Sequence, residues 1–292
     1  MLAVTVNGRR VVARVAAPAP GGSKPLIAAL HGGMYTGRYF DIDGYGNGSF
    51  MDLAVSRGYA VAAFDRPGYG DSFVPTPDEN SFEQHAVWLA DAIGQTAQHF
   101  GTDRVFLVGH SIGACVAMTI AARDRDFRLS GLSMTGMGAV IPPGGNGHAL
   151  AEQEQSEAVE IPFEQRDLVM FGPEHTRTET AVKAAHAAYN PVVPVCELVQ
   201  APHWPAEKLP GVAPRINVPV QSVLAEHDAL IESTPANVEL FASMFTQAPF
   251  VEAGIARSTG HSIDHHILGH ALHLRQLAFA EECELWETQQ PR

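Results

Sequence analysis

A serine between two glycines lies where a run of β-forming residues meets a run of small, helix-forming ones. Residues 105–108 are apolar, residues 109–113 read G-H-S-I-G, and small side chains follow. This order is typical of a sharp strand-to-helix turn that raises a serine hydroxyl clear of a sheet, because a Cβ at Gly109 or Gly113 would crowd the neighbouring strand and helix. The backbone N–H of Ile112, at the predicted helix start, would face negative charge that forms on a group attached to Ser111. The pattern predicts Ser111 as a nucleophile; the alternative is an ordinary glycine-rich turn with a surface serine.

Two later residues could activate such a serine, which is a weak nucleophile until a base removes its proton. Asp228 comes just after a predicted strand at 218–225, and His261 lies in the loop that follows a predicted strand at 250–255. Both therefore lie at predicted strand ends, in the chain order serine, aspartate, histidine that this kind of elbow requires. Glu226 lies two residues before Asp228 and is the alternative acid if the strand ends earlier. His110 is expected to line the pocket or pack under the elbow rather than act as the base.

The elements around these residues alternate between buried-type strands and amphipathic helices. Strands are predicted in a hairpin at 2–17 and at 26–30, 59–64, 105–108, 129–135, 218–225 and 250–255, and helices at 49–57, 81–100, 114–118, 234–245 and 262–287. Strands that alternate with helices form a mostly parallel sheet covered on both faces, and ligands bind at the carboxyl ends of its strands. The predicted fold class is therefore α/β, with a mostly parallel, doubly wound sheet.

The alternation stops between residues 136 and 217. Short helical patches are predicted there at 149–159, 163–171 and 179–189, with prolines between and after them. We interpret residues 136–217 as an inserted helical cap, or lid, and residues 1–135 and 218–292 as the core. Five residues of the cap could either line an apolar pocket or pack the cap itself: Phe163, Met170, Phe171, His203 and Trp204.

Composition excludes several classes of function. The chain has 292 residues, 46% of them hydrophobic, and a net charge of −13. It lacks the basic patches that nucleic acids or anionic membranes attract, and no apolar run approaches the roughly 20 residues of a membrane-spanning helix. Arg9, Arg10 and Arg14 interrupt any signal-peptide core, and three scattered cysteines form no disulfide framework. We expect a cytoplasmic protein that binds neither nucleic acid nor membrane, with Cys115 as a buried core residue.

Histidines near the C-terminus raise the question of a metal. His266, His270 and His273 would share one face of the predicted terminal helix, and histidines four residues apart can bind zinc. The sequence H-I-L-G-H lacks the glutamate of H-E-x-x-H, so we predict packing or surface positions and no metal. On the same predicted helix, His265 and His266 would point away from Ser111, and Asp264 would cap the helix rather than orient the base.

Taken together, these motifs resemble the serine hydrolases of the α/β-hydrolase fold, in order and spacing, over nearly the whole chain. The matching segments are H-G-G at 31–33, D-R-P-G-Y-G-D-S at 65–72, the elbow, Asp228 and G-H at 260–261. The resemblance implies that Ser111 is the nucleophile, His261 the base and Asp228 its orienting acid. It also implies that residues 65–72 are a structural signature outside the catalytic set, and that residues 136–217 occupy the position of the lid.

The resemblance further implies an oxyanion hole formed by the backbone N–H groups of Ile112 and Gly33, with Met34 as a second candidate for the latter. The serine argues against the haloalkane dehalogenases and epoxide hydrolases, which use an aspartate at the elbow. The sequence H-G-G-M is neither the H-G-G-G of hormone-sensitive-lipase-like esterases nor the H-G-G-P-G of proline iminopeptidases.

The expected reaction is hydrolysis of a carboxylic ester, thioester or lactone of a small to medium, partly apolar molecule, through an acyl-enzyme and without a cofactor. The alternatives are a C–C bond hydrolase, an amidase or a peptidase on the same triad, and a ligand-binding protein without catalysis on the same fold. A homodimer is left open.

Overall fold

The computed structural model of the protein describes residues 1–18, 24–143 and 157–289. In chain order the strands of this part are β1 (Leu2–Val6), β2 (Arg9–Ala16), β3 (Leu26–Leu30), β4 (Val61–Phe64), β5 (Arg104–His110), β6 (Arg128–Thr135), β7 (Ala158–Val159), β8 (Val193–Pro194), β9 (Val220–Ala225) and β10 (Val251–Ala256). The helices are α1 (Phe50–Ser56), α2 (Phe82–His99), α3 (Ile112–Ala121), α4 (Phe163–Met170), α5 (Glu179–His186), α6 (Val195–Glu207), α7 (Leu209–Val212), α8 (Pro235–Ser243) and α9 (Gly269–Gln289).

One large sheet carries eight of the described strands, in the order β1-β2-β4-β3-β5-β6-β9-β10, and β7 pairs with β8 apart from it. Strand β2 is antiparallel to its neighbours β1 and β4, and the remaining pairs of the large sheet are parallel. Every residue of β3, β4 and β9 is buried, which explains why β3 and β4 read as continuous apolar runs. The predicted α/β fold class, with its mostly parallel sheet, is confirmed.

Hydrophobic cores lie on both faces of the sheet. One cluster contains apolar side chains of α2 and α3, and the other contains side chains of α1 and α9. Cys115 is fully buried in α3, as predicted. Three of the predicted helix starts are confirmed, because the side chains of Ser49, Ser81 and Thr234 each accept the backbone N–H of the residue three positions later. None of the described helices is both long and apolar enough to cross a membrane.

The segment between β6 and β9 differs most from the predicted elements. Residues 149–156 of one predicted helical patch lie outside the described residues, and Ala158–Val159 form β7 instead of a helix. Helix α6 was missed because Pro202 and Pro205 lie inside it, and proline breaks the hydrogen bonding of an isolated helix. The buried side chains of this helix compensate, since tertiary packing overrides weak helix propensity.

The predicted terminal helix at 262–287 is also wrong at its start. Helix α9 begins at Gly269, and Ile263–His265 form a single 3₁₀ turn before it. A side chain at Gly269 would place its Cβ 2.2 Å from the carbonyl oxygen of Asp264, so this turn packs directly against the first residue of the helix. The residues of this turn face the interior.

We expect Gly113→Ala to destabilise the fold, because the added Cβ would lie 2.0 Å from the carbonyl oxygen of Leu30 and force α3 away from β3. The cost should be about 3 kcal/mol of unfolding free energy, measured by urea denaturation. Gly211→Ala is the matched control, since no atom lies within 4 Å of its added Cβ. A Gly113→Ala variant as stable as the control would contradict this close approach.

Candidate active site

The backbone of Ser111 is held in a conformation that side chains rarely adopt. The residue has φ 53° and ψ −122° and joins the end of β5 to the start of α3. Its N–H donates to the carbonyl of Thr135 at 2.8 Å, which fixes the turn against β6. A Cβ at Gly109 would lie 2.7 Å from Ala114 Cα, and one at Gly113 would meet β3, so both predicted reasons for glycine are confirmed. The turn presents the serine hydroxyl at the carboxyl edge of the sheet.

Ser111, His261 and Asp228 form a continuous chain of hydrogen bonds. His261 Nε2 lies 2.9 Å from Ser111 Oγ, and His261 Nδ1 lies 2.8 Å and 3.0 Å from the two oxygens of Asp228. Because a carboxylate only accepts hydrogen bonds, the proton of neutral His261 resides on Nδ1. Nε2 is then an acceptor for the hydroxyl proton of Ser111. This is the arrangement in which an imidazole can remove a proton from a serine.

Asp228, and not Glu226, is brought to the imidazole. The carboxylate of Asp228 is fully buried and also accepts the backbone N–H groups of Leu230 and Ile231, at 2.9 and 3.0 Å. Glu226 is exposed, and its carboxylate accepts the N–H of Ser258 at 2.7 Å. Strand β9 ends at Ala225, so Asp228 lies three residues beyond the sheet, where the loop turns back toward the base.

The loop that carries His261 is held by a second histidine. His266 Nε2 accepts the backbone N–H groups of Gly260, at 2.9 Å, and Gly172, at 3.0 Å. Its Nδ1 must therefore carry the proton, which it donates to the carbonyl of Ser262. The prediction that His266 lies in the terminal helix is wrong, because the helix starts three residues later. This residue instead joins the loop of the candidate base to the segment between β6 and β9.

A second aspartate–histidine pair is buried behind the site. Asp264 accepts the hydroxyl of Tyr39 at 2.7 Å and His273 Nε2 at 3.1 Å, so the predicted helix-capping role of Asp264 is wrong. Tyr39 stacks on His110, with ring centroids 4.6 Å apart and an angle of 10° between the planes. The ring of His110 in turn lies 5.0 Å from that of His261. His110 thus packs under the elbow, as predicted, and burial lowers its pKa well below the usual value.

The three C-terminal histidines do not share a helix face. Of His266, His270 and His273, the first precedes α9 and only the other two lie in it, and His273 is paired with Asp264. His265, which was predicted to lie in the same helix, is buried with its Nε2 3.1 Å from the carbonyl of Tyr39. Across the described ranges, no cluster of three or more histidine, cysteine, aspartate or glutamate side chains is arranged to hold a metal ion.

A small apolar cavity opens beside Ser111. Its volume is about 60 Å³, and its polar side-chain atoms come from Ser111 and His261. The other side chains that line it are aliphatic or thioether groups from the core and from the segment between β6 and β9: Met34, Ile112, Met137, Ile141, Met170, Leu198, Ala201, Pro202, Leu230 and Ile231. Sequence reasoning had singled out Met34, Met170 and Ile112, whereas the others were missed because no motif marks them.

The sequence left open whether five residues of the predicted cap line a pocket or pack the cap, and the structure places them differently. Met170 lines the cavity. Trp204 is buried in the core cluster of α2 and α3, and Phe171 is also buried. Phe163 is about half exposed and His203 is exposed. Of the five, only Met170 lines the cavity, and the other four do not.

The candidate oxyanion donors surround the serine. Gly33, Met34 and Ile112 all line the cavity beside Ser111, and a Cβ at Gly33 would lie 3.1 Å from Ile112 Cδ1. Ile112 is the first residue of α3, where N–H groups lack partners within the helix. Met34 has φ 70°, and its carbonyl accepts the N–H of Asn190 at 2.8 Å.

Sequence reasoning missed a buried ion pair behind the H-G-G segment. The guanidinium of Arg66 binds both oxygens of Glu197, at 2.5 and 3.0 Å, and both side chains are fully buried. Arg66 belongs to the segment 65–72 that was expected to be structural only. The available signal was Glu197 itself, a lone acidic residue in the apolar run V-C-E-L-V.

Comparison with known proteins identifies the family. A sequence model described as "Alpha/beta hydrolase family" matches residues 27–282. The chain belongs to the alpha/beta hydrolase family.

The individual proteins that this chain resembles match it over a short stretch or at low sequence identity. A 96-residue stretch, 33% of this chain, is 35% identical to "Epoxide hydrolase 2" of Siraitia grosvenorii and spans only 27% of that protein. A thermophilic esterase from Thermogutta terrifontis superimposes with a TM-score of 0.70, at 18% identity over 96% of this chain and 97% of that one. The N-acyl homoserine lactonase AidH, in complex with N-butanoyl homoserine, gives 0.69 at 19% identity over 100% and 98%. At these identities the two structures establish the fold alone.

We expect the buried histidines to make the fold acid-sensitive. Burial lowers the pKa of His266 to about 4, and those of His85 and His265 likewise to about 4, from the usual 6.5. Between these pH values the unfolded chain binds more protons than the folded one, so stability is full above pH 6.5 and is lost as the pH falls toward 4. The slope should be at most about 1.4 kcal/mol per pH unit for each histidine.

Urea unfolding at intervals from pH 4 to 7 measures this slope. His266→Gln should reduce it by the share of one histidine, because the amide that replaces the imidazole does not titrate. A variant with the slope of the wild type would contradict the assignment of His266 as a buried, neutral acceptor.

Proposed function

We propose that the protein hydrolyses a carboxylic ester or a related acyl bond, a thioester or a lactone, through an acyl-enzyme on Ser111. The observation that carries the proposal is the hydrogen-bond chain from Ser111 Oγ through His261 to Asp228. A serine so connected can lose its proton to the imidazole as it attacks a carbonyl carbon. The cavity beside the hydroxyl provides space for the acyl group.

The reaction proceeds in two halves. Ser111 Oγ attacks the carbonyl carbon while its proton passes to His261 Nε2, and Asp228 stabilises the imidazolium that results. His261 then returns the proton to the leaving oxygen or sulfur, and the acyl group remains on the serine. Water enters, His261 removes one of its protons, and the acyl-enzyme is hydrolysed. Serine and imidazole are regenerated, so no cofactor is consumed.

The negative charge that develops on the carbonyl oxygen needs hydrogen-bond donors. We assign this role to the backbone N–H groups of Ile112 and Gly33, which belong to residues that line the cavity on either side of Ser111. Donors of this kind are each worth about 3–4 kcal/mol of transition-state stabilisation, because they are already oriented before the charge forms. General-base catalysis by His261 adds about 10²–10⁴ in rate.

The cavity favours a short, uncharged acyl group. Apart from His261, no ionisable side chain among the described residues lines it, so an acyl group with a carboxylate would be buried without a partner. Its volume of about 60 Å³ holds about four to six water-sized groups. Two structural neighbours, an esterase and an N-acyl homoserine lactonase, agree with an ester or a cyclic ester as substrate.

The local similarity to an epoxide hydrolase does not carry a second proposal. A serine that opened an epoxide would form an ether, which has no carbonyl carbon for water to attack. The Ser111–His261 hydrogen bond therefore suits acyl transfer better than epoxide opening.

Ser111→Ala should abolish turnover of p-nitrophenyl butyrate, with kcat/KM falling by about 10⁴-fold or more, because no other group can carry the acyl intermediate. A fluorophosphonate probe should label the wild type but not Ser111→Ala. The control is Ser243→Ala, which replaces an exposed serine of α8 and should still be labelled. Circular dichroism checks that the fold is kept. Turnover that survives in Ser111→Ala would refute the acyl-enzyme, and p-nitrophenyl succinate hydrolysed as well as the butyrate would refute the uncharged acyl site.

Asp228→Asn should lower kcat by about 10²–10⁴-fold, because an amide cannot hold His261 in the required tautomer or stabilise the imidazolium. The matched control is Glu226→Gln, two residues away in the same loop, which should stay within about twofold of the wild type because the carboxylate is exposed and faces Ser258. Steady-state kinetics with p-nitrophenyl butyrate measure both. Equal losses in the two variants would refute Asp228 as the orienting acid.

A further inference from the structure

We propose that Arg66 is a positioning residue that orients the Gly32–Gly33 peptide for oxyanion stabilisation, and that Glu197 on α6 supplies the counter-charge that holds Arg66 in place. The inference rests on the proposed function, since it concerns one of the two donors assigned there. Through Arg66, the segment between β6 and β9 would help to orient a donor of the oxyanion site. The sequence motif at 65–72 does not suggest this role for Arg66.

The side chain of Arg66 is fully buried and forms hydrogen bonds with the backbone of the H-G-G segment. Its Nε donates to the carbonyl of His31 at 2.9 Å, and its Nη2 donates to the carbonyl of Gly32 at 3.3 Å. The backbone N–H of Arg66 also donates to His31 Nε2 at 3.1 Å. The planar guanidinium has its donors in a fixed fork, so these bonds set the direction of two successive peptide units.

The second of these units contains the candidate donor. The carbonyl of Gly32 and the N–H of Gly33 belong to one planar peptide, and in the trans form they point in opposite directions. A carbonyl that faces Arg66 therefore turns the N–H of Gly33 away from Arg66. Gly33 lines the cavity beside Ser111. The contacts of Arg66 thus favour Gly33 over Met34 as the donor, because the N–H of Met34 belongs to the next peptide.

His31 adds a second donor to the same carbonyl. Because His31 Nε2 accepts from Arg66, the ring proton lies on Nδ1, which donates to the carbonyl of Gly32 at 2.7 Å. Burial and the neighbouring Arg66 hold the pKa of His31 well below its usual value, so the ring stays neutral in this arrangement. Two donors on one carbonyl polarise the peptide and strengthen its N–H as a donor on the other side.

Glu197 makes the position of Arg66 possible. It binds the guanidinium through both carboxylate oxygens and accepts the hydroxyl of Tyr69 at 2.7 Å. A buried guanidinium without a counter-charge would be expelled or would destabilise the fold. The next residue on α6, Leu198, lines the cavity. The same helix therefore contacts the acyl group with one side chain and anchors the oxyanion segment through the other.

A positioning role can be separated from a structural one because a buried ion pair is not required for stability. Replacement of both partners by apolar residues is often neutral for folding, whereas loss of one partner leaves an unpaired buried charge. The double variant Arg66→Met/Glu197→Met removes both charges together. It also removes the Arg66 donor to the carbonyl of Gly32 and leaves only that of His31, so stability and transition-state binding should respond differently.

The experiment measures the melting temperature, kcat and KM for p-nitrophenyl butyrate, and the inhibition constant of a short alkyl trifluoromethyl ketone, which forms a tetrahedral adduct on the serine. In the double variant we expect a melting temperature close to that of the wild type, KM within about threefold, and kcat lower by about 10- to 100-fold. The inhibition constant should rise by a similar factor. A double variant with both the kcat and the stability of the wild type would overturn the proposal, because Arg66 would then act only as part of the core.

A second variant covers failure of the double variant to fold. Glu197→Gln keeps an acceptor for Arg66 but removes the charge, and it should lower kcat by about threefold or more with KM unchanged. Glu207→Gln, on the exposed end of the same helix, is the matched control and should equal the wild type. Equal kcat in both single variants would overturn the inference. A wild type that neither turns over esters nor reacts with the fluorophosphonate probe would instead overturn the proposed function, and this inference with it.

Discussion

The close approach of α3 to β3 is the constraint on which the rest of the site depends. Only glycine fits at residue 113, where an added Cβ would lie 2.0 Å from the carbonyl of Leu30. This contact lets the chain turn within a few residues and holds Ser111 at φ 53°. The same contact places the N-terminus of α3 beside the H-G-G segment that follows β3. One backbone approach therefore sets both the serine hydroxyl and the two N–H groups that we assign to the oxyanion.

The base and its acid are held by loops whose polar atoms are satisfied internally. Asp228 is fixed by two backbone N–H groups before it meets His261, and the loop of His261 is fixed by His266, which accepts two more. His266 is held in one tautomer, because its Nε2 faces two N–H donors and its Nδ1 faces a carbonyl acceptor. Because these loops are rigid, the side chains need to move little when the proton is transferred. A preorganised site needs this rigidity.

The segment between β6 and β9 contributes to the site in two physical ways. It closes the cavity with apolar side chains, and it reaches the backbone of the oxyanion segment through the Glu197–Arg66 pair. A change in how α6 packs would therefore alter both the space for the acyl group and the direction of the Gly33 N–H. Under the proposal above, the segment between β6 and β9 orients groups of the site that it does not itself provide.

The sequence alone determined the α/β class, the elbow and His261 as the candidate base, because these depend on local patterns: a strand end is marked by a few residues, and the carboxyl ends of parallel strands meet at one edge. It left Glu226 as an alternative to Asp228, and only the tertiary structure brought Asp228 to the imidazole. Tertiary structure alone decided the partners that are distant in the chain. Arg66 and Glu197 are 131 residues apart, and α6 is a helix despite Pro202 and Pro205 because its buried side chains stabilise it. It also decided that His266 faces inward, since the start of α9 at Gly269 follows from packing against the turn of Asp264, which no local periodicity encodes.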